Sequence, residues 1–287
     1  MKKISLTVLC FLLIQFAASA QPWSISFSLG TSNYQGDIVD KPYSFDNSRL
    51  AVGFGTEYSL SDRLSLKAML HFASVTADDK ENSKPYLISR NLNFTTGITE
   101  LGLTVHYDLL DFNRFNLVPY VFGGIGVFHF NPFTYDSAGA KVFLNPLSTE
   151  GQGLTGIFPE VKPYSLTQFC IPFGGGFKYR VNEMVNVSLE IGLRKLFTDY
   201  LDDVSDKYVD KATLLAQRGS AAVALAYRGD ELKTNPGTYP TGGATRGGVN
   251  SKDWYYFTSI TASFQLSSLS NNLRFNKSSM RCPSMKF

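Results

Sequence analysis

The chain has 287 residues, a net charge of +3, 18% charged residues and 14% aromatics. So slight a charge gives no footprint for nucleic acid or an acidic partner, and soluble domains carry about 25% charged residues. Beyond the first twenty residues no stretch approaches the roughly 18 uninterrupted apolar residues of a membrane helix, which excludes a helical membrane protein.

Residues 1–20 read as a secretory signal peptide: Lys2 and Lys3, an apolar run from Leu6 to Phe16, then Ala18-Ser19-Ala20 ahead of Gln21. The run is shorter than the about 20 residues a span needs, so the mature chain is expected to begin at Gln21. Cys10 follows Leu9 inside the run, which is the wrong setting for a lipoprotein attachment cysteine. Export permits disulfides, but Cys170 and Cys282 make no framework, and both are expected to stay unpaired.

Eight stretches of alternating apolar and polar residues follow. The first, 23–29, sets Trp23, Ile25, Phe27 and Leu29 against Ser24, Ser26 and Ser28. The second sets Leu50, Val52, Phe54, Tyr58 and Leu60 against Ala51, Gly53, Gly55, Glu57 and Ser59. In the third, Leu64, Leu66, Ala68, Leu70 and Phe72 oppose Ser65, Lys67, Met69 and His71. The fourth shows Leu101, Leu103, Val105 and Tyr107 against Glu100, Gly102, Thr104 and His106. The fifth, 119–130, is less clean, with Val121, Ile125 and Val127 against Phe122, Gly124, Gly126 and Phe128. The sixth places Phe173, Phe177 and Tyr179 against Gly174, Gly176, Lys178 and Arg180. The seventh places Val185, Val187, Leu189, Ile191 and Leu193 against Asn186, Ser188, Glu190, Gly192 and Arg194. The eighth opens on Trp254-Tyr255-Tyr256 and sets Ile260, Ala262, Phe264 and Leu266 against Ser259, Thr261, Ser263 and Gln265.

The connectors alternate long and short: 31–48, 74–90, 131–163 and 198–252 are long, while 61–63, 109–114 and 181–183 are short. A sheet spans lipid only when it closes and leaves no edge, with apolar side chains outward, short periplasmic turns and longer outside loops. The expected fold is therefore all-β: an eight-stranded antiparallel transmembrane β-barrel over residues 21–268, in an outer membrane and in contact with its lipid. It has four long extracellular loops and short periplasmic turns. Both termini are periplasmic, and residues 269–287 form a periplasmic tail.

Three carboxylates and three cations face the interior: Glu57, Glu100, Glu190, Lys67, Lys178 and Arg194. Keeping Leu60 and Leu64 on one face makes the first hairpin loop odd in length and sets Glu57 opposite Lys67, an expected pair. An eight-stranded barrel is just wide enough to be filled by its own side chains, and inner glycines such as Gly53, Gly124 and Gly192 leave room for long neighbours. The reading is a structural ion network in a closed lumen; an ion or proton pathway is the alternative.

Catalysis needs a nucleophile, a base and an orienter. Of His71, His106 and His129, the strand directions leave only His71 as a candidate base, and no serine is singled out beside it. The acidic stretch Asp199, Asp202, Asp203, Asp206 and Asp210 lacks the spacing of a calcium loop. It reads as a solvated ledge, or as a partner of Arg218, Arg228 and Arg246. The glycine-rich segment 241–248 reads as flexible loop, without the lysine of a phosphate loop. No catalytic residue, metal site or cofactor is expected.

Several motifs stand out, some of them in loops. They are Ser32-Asn33-Tyr34-Gln35-Gly36-Asp37, the run 119–132, the run 146–153, Ile171-Pro172-Phe173-Gly174, and Glu190-Ile191-Gly192 continuing to the run 197–205, with Asp253-Trp254-Tyr255. In this order the chain resembles the PorG-type outer-membrane barrels of the Por, or type IX, secretion system. The resemblance implies a non-enzymatic accessory component associated with a periplasmic ring built by a lipoprotein and its partner protein, and so with cargo export and gliding. It supplies no catalytic residue and no cofactor, and it implies no nucleic acid. The tail matches no part of the pattern. A small lipid-acting enzyme and a minor channel are the alternatives.

Overall fold

The computed structural model describes residues 23–40, 46–112, 114–154, 156–158, 160–248 and 252–266. The expectations for the leader, the tail and Cys282 lie outside the described residues. In chain order the strands are β1 (Trp23–Gln35), β2 (Arg49–Ser59), β3 (Leu64–Asp78), β4 (Asn93–Asp108) and β5 (Leu117–Phe130). There follow the short β6 (Phe133–Tyr135) and β7 (Lys141–Phe143), then β8 (Thr167–Arg180), β9 (Val185–Leu196) and β10 (Trp254–Gln265).

Eight of these strands close a barrel. The circuit runs β1, β2, β3, β4, β5, β8, β9, β10 and back to β1, every pairing antiparallel. Closure pairs the backbone groups that an open sheet would leave along two edges. Links 60–63, 109–116 and 181–184 join strands at one end, and links 36–48, 79–92, 131–166 and 197–253 join them at the other. The first hairpin holds Glu57 opposite Lys67, as its loop length predicts.

Alternation places the side chains as the pleat requires. In β4 Leu101, Leu103, Val105 and Tyr107 are exposed, whereas Glu100, Gly102, Thr104 and His106 are buried. The same outward apolar belt runs around the wall through Ile25, Phe27, Phe54, Phe72, Ile125, Phe177, Leu189 and Ile260.

Above the belt the pattern inverts. On β3 and β4 the outward phase becomes Ser74, Asp78, Thr95 and Thr99, while Val75, Ala77, Phe94 and Ile98 turn inward and are buried. The strands therefore continue beyond the alternating stretches, to Gln35 in β1 and Asp78 in β3, and β4 begins at Asn93. The main apolar core lies at this long-loop end. Phe94, Phe128, Phe130, Leu196, Tyr255 and Phe257 pack there against Ile38, Leu92, Leu144, Leu201, Val204 and Leu225 from the links.

The fifth stretch reads untidily because its inner phase carries buried Tyr120, Phe122 and Phe128 while Gly123 stands on its outer phase. Pro172 of β8 has no N–H to give, and the β5–β8 pairing is interrupted between Gly123↔Phe173 and Gly126↔Cys170 without a change of register. The inner glycines make room as expected. A Cβ on Gly192 would collide with the Arg194 guanidinium and lie 3.0 Å from the Phe122 ring.

The long links are folded. Helix α1 (Pro85–Arg90) starts on proline and stops at Asn91 in the left-handed region, φ 60°. Helix α2 (Lys211–Arg218) is capped by Asp210, whose carboxylate accepts from Thr213 N, and α3 (Ser220–Ala226) follows it. The glycine-rich segment corrects the expectation of a flexible loop. Ala244 O accepts from Tyr208 N, Gly243 N donates to Tyr208 O, and Gly248 N donates to Asp37. Its glycines let the backbone pass close to Asp210 and Ser205.

Candidate functional site

All six inward charges meet in the lumen, but their pairing differs from the sequence expectation. Lys178 Nζ lies 3.6 Å from Glu57, Lys67 Nζ 3.8 Å from Glu190, and Arg194 Nε 3.1 Å from Glu100. Each pair crosses the barrel from one wall to another. Side chains on facing residues of neighbouring strands leave the wall side by side, so Glu57 and Lys67 share a register and find their counter-charges opposite. In so narrow a barrel the far wall is within reach of a long side chain.

Groups missed by the sequence reading complete the network. Asp108, at the end of β4, accepts from Lys178 at 3.2 Å. Tyr120 donates to Glu190 at 2.8 Å, Tyr255 to Glu100 at 2.5 Å, and Ser65 to Glu57 at 2.6 Å. Arg194 also donates to Gly192 O and stacks over Phe257, 4.1 Å from the ring centre. The available signal was the inward-phase tyrosines Tyr120 on β5 and Tyr255 on β10, whose polar tips seek partners when buried.

Two spaces and an aromatic seal are stacked along the barrel. At the short-turn end a vestibule of about 280 Å³ is lined by Ser24, Ser61, Arg63, Lys178, Arg180 and Asn186. In its wall Phe112 lies under Arg180, 4.4 Å from the guanidinium carbon. The mid-lumen gap between Lys67, Glu100, His106, Phe122 and Arg194 is only about 20 Å³, room for about one water. Above it Phe128, Phe130, Tyr255 and Phe257 close the bore.

Over this aromatic layer the long links form a polar cap, in which the loop motifs of the sequence converge. Arg246 donates to Glu150 at 2.9 Å and to Asp203 O at 2.6 Å; Arg90 forks onto Asp79 with two bonds of 2.8 Å. Glu150 accepts from Ser205 N and Asp206 N, and Asp203 from Thr149 and Tyr164. Burial pushes the Asp203 carboxyl up to about 6 against the pull of Arg246, and raises Asp199 to about 6. The ledge expectation is therefore corrected: Asp199, Asp202 and Asp203 are buried, although Asp210 stays exposed. Of the three arginines only Arg246 reaches the stretch; Arg218 donates to Ser148 and Arg228 to Glu231. Among the described residues, no group of three or more His, Cys, Asp or Glu is placed to hold a metal ion.

The candidate base His71 sits 3.5 Å from the Glu100 carboxylate and packs on Phe257, with no serine hydroxyl bonded to it among the described residues. His106 bonds Thr104 at 2.9 Å, and His129 reaches Thr167 at 3.0 Å on the exposed outer wall. Cys170 is buried and free beneath Tyr255.

Closure, an apolar outer face and a lumen blocked by its own side chains define an eight-stranded barrel of the outer-membrane type. A family model described as a domain of unknown function, DUF6089, matches residues 2–142, just under half the chain. The fold is similar to Neisserial surface protein A, at TM-score 0.41 and 8% identity over 86% of this chain and 97% of that one. It is also similar to OprG from Pseudomonas aeruginosa, at TM-score 0.40 and 11% identity over 85% and 97% of the two chains. A third similar structure is Ail, the attachment invasion locus protein of Yersinia pestis, at TM-score 0.36 and 9% identity over 85% and 97%. No curated protein matches the sequence.

Proposed function

We propose that this chain is a non-enzymatic outer-membrane barrel that anchors a periplasmic secretion assembly, as an accessory component of type IX secretion. The observation that carries the reading is the blocked bore. Cross-barrel ion pairs fill the lumen, and an aromatic layer and a folded cap lie over it. A barrel with an apolar wall and no open path is suited to holding something in the membrane rather than passing solute through it. The resemblance of the loop motifs to PorG-type barrels names the assembly: a periplasmic ring of a lipoprotein and its partner protein, serving cargo export and gliding.

In this reading the long links face outside and the short turns and both termini face the periplasm, where the partner docks. The segment 269–287 adds Arg274, Lys277, Arg281 and Lys286 with no acidic residue, a cationic arm that steers toward an acidic surface. The test is affinity purification of the full chain from membranes in a gentle detergent, followed by mass spectrometry. A periplasmic lipoprotein recovered with a second periplasmic protein in fixed ratio is the expected result. Recovery of the barrel with lipid alone would remove the proposed role.

A further inference from the structure

One phenol in the cap faces two carboxyls. The Tyr34 hydroxyl lies 2.5 Å from Asp202 Oδ2 and 3.1 Å from Asp253 Oδ1. All three side chains are buried, at 3%, 1% and 0% exposure. The remaining carboxylate oxygens are held by backbone: Val204 N donates to Asp202 Oδ1 and Leu201 N to Asp253 Oδ2. A phenol carries one proton, and an ionised carboxylate only accepts. With both acids ionised, one oxygen pair would meet lone pair to lone pair out of water, a costly arrangement. A second proton on Asp253 resolves it, with Asp253 O–H donating to the phenol oxygen and the phenol O–H donating to Asp202.

We propose that the outer cap is latched by this proton, held along Asp253, Tyr34 and Asp202, and that its release frees the 197–253 link from the top of β1. The three residues join the end of β1 to both ends of that link. When the proton passes to water the cluster gains a second negative charge, and Asp202 and Asp253 repel across Tyr34. Of the neighbouring charges only Arg90 pulls Asp202 back toward the ionised form, and it ranks below burial and the repulsion from Asp37. Asp37 faces the pair from the 36–48 link and Asp199 from their own link, both carboxyls. Arg90 of α1 is committed to Asp79 and to the carbonyl oxygens of Asp37 and Arg246. Arg246 is committed to Glu150 and Asp203, and Lys252 lies 3.9 Å from Asp199. Gly36 brings its backbone so close that a Cβ there would overlap Tyr34 and Asp253, which closes that side of the cluster.

Burial, Asp37 and the pair's mutual repulsion hold both carboxyls well above the usual carboxylate range. Groups raised on folding contribute stability that is complete below their ordinary range and is lost as pH rises toward their folded values. The cap therefore loosens toward alkaline pH, and its opening constant rises about tenfold per pH unit while one proton is released. The full chain in detergent is examined by infrared spectroscopy at about pH 8, where Asp199 and Asp203, at about 6, are ionised. The expected result is a protonated-carboxyl band in the wild type that is absent from Asp253→Asn, whose amide donates to Tyr34 without needing a proton. Cleavage within 197–253 is then followed from about pH 8 upward, above the titration of Asp199 and Asp203, with the tenfold slope expected in the wild type and a flat profile in Asp253→Asn. No band at about pH 8, or the same slope in both proteins, would overturn the proposal. Should Asp253→Asn fail to fold, the wild-type band decides alone.

Discussion

Glu100 and Arg194 are 1% and 3% exposed and bond each other across the lumen. Removing one member of such a pair leaves the other charge buried and alone, at a cost of about 3–5 kcal/mol, whereas replacing both by apolar residues is often neutral. Glu100→Gln is expected to cost that much in denaturant unfolding in detergent, and Glu100→Met with Arg194→Met to recover most of it. In the cap, Asp199 keeps one buried oxygen without a partner and its carboxyl is raised to about 6. Its contribution is complete below the ordinary range of about 3.9 and is lost as pH rises through about 6. Proteolysis of the cap is therefore expected to quicken between about pH 4 and about pH 6, and Asp199→Asn to shrink that change.

At the scale of the strand, the belt was legible because one phase is apolar over four or five outward positions in succession. The phases of Glu57, Glu100, Glu190, Lys67, Lys178 and Arg194 came with it, since period two fixes the inner face once the outer is known. What stayed hidden follows from the inversion above the belt. Where Val75, Ala77, Phe94, Phe128, Phe130 and Tyr255 turn inward, the wall is wetted outside and dry inside, so a single lipid-facing template ends there and reads loop. Partner choice was hidden too, because Glu57 and Lys67 share a register while their counter-charges stand on β8 and β9. The cap could not be read, for Arg246, Glu150 and Asp203 meet only through the tertiary fold of separate links. The belt itself is open to test. Leu189→Arg places a cation near the middle of β9 on the exposed face, at about 2–4 kcal/mol, while Ser188→Ala, buried one residue away, should be nearly silent. Equal effects in unfolding from lipid would mean that the phase is inverted.

For the whole molecule, the layers stack as vestibule, ion network, aromatic seal and polar cap. Purified barrel in a planar bilayer is expected to give no stable conductance, and a steady open level would restore the channel alternative. In the proposed function the short-turn face holds a periplasmic partner. The most direct measurement is co-purification of the ring proteins, at matched barrel abundance, with two variants. One lacks residues 271–287, and the other has the 236–249 segment of the long-link cap shortened. The first is expected to keep an inserted barrel but to lose most of the ring, while the second retains it. Release of the ring by loop trimming, with retention after tail deletion, would contradict the proposal.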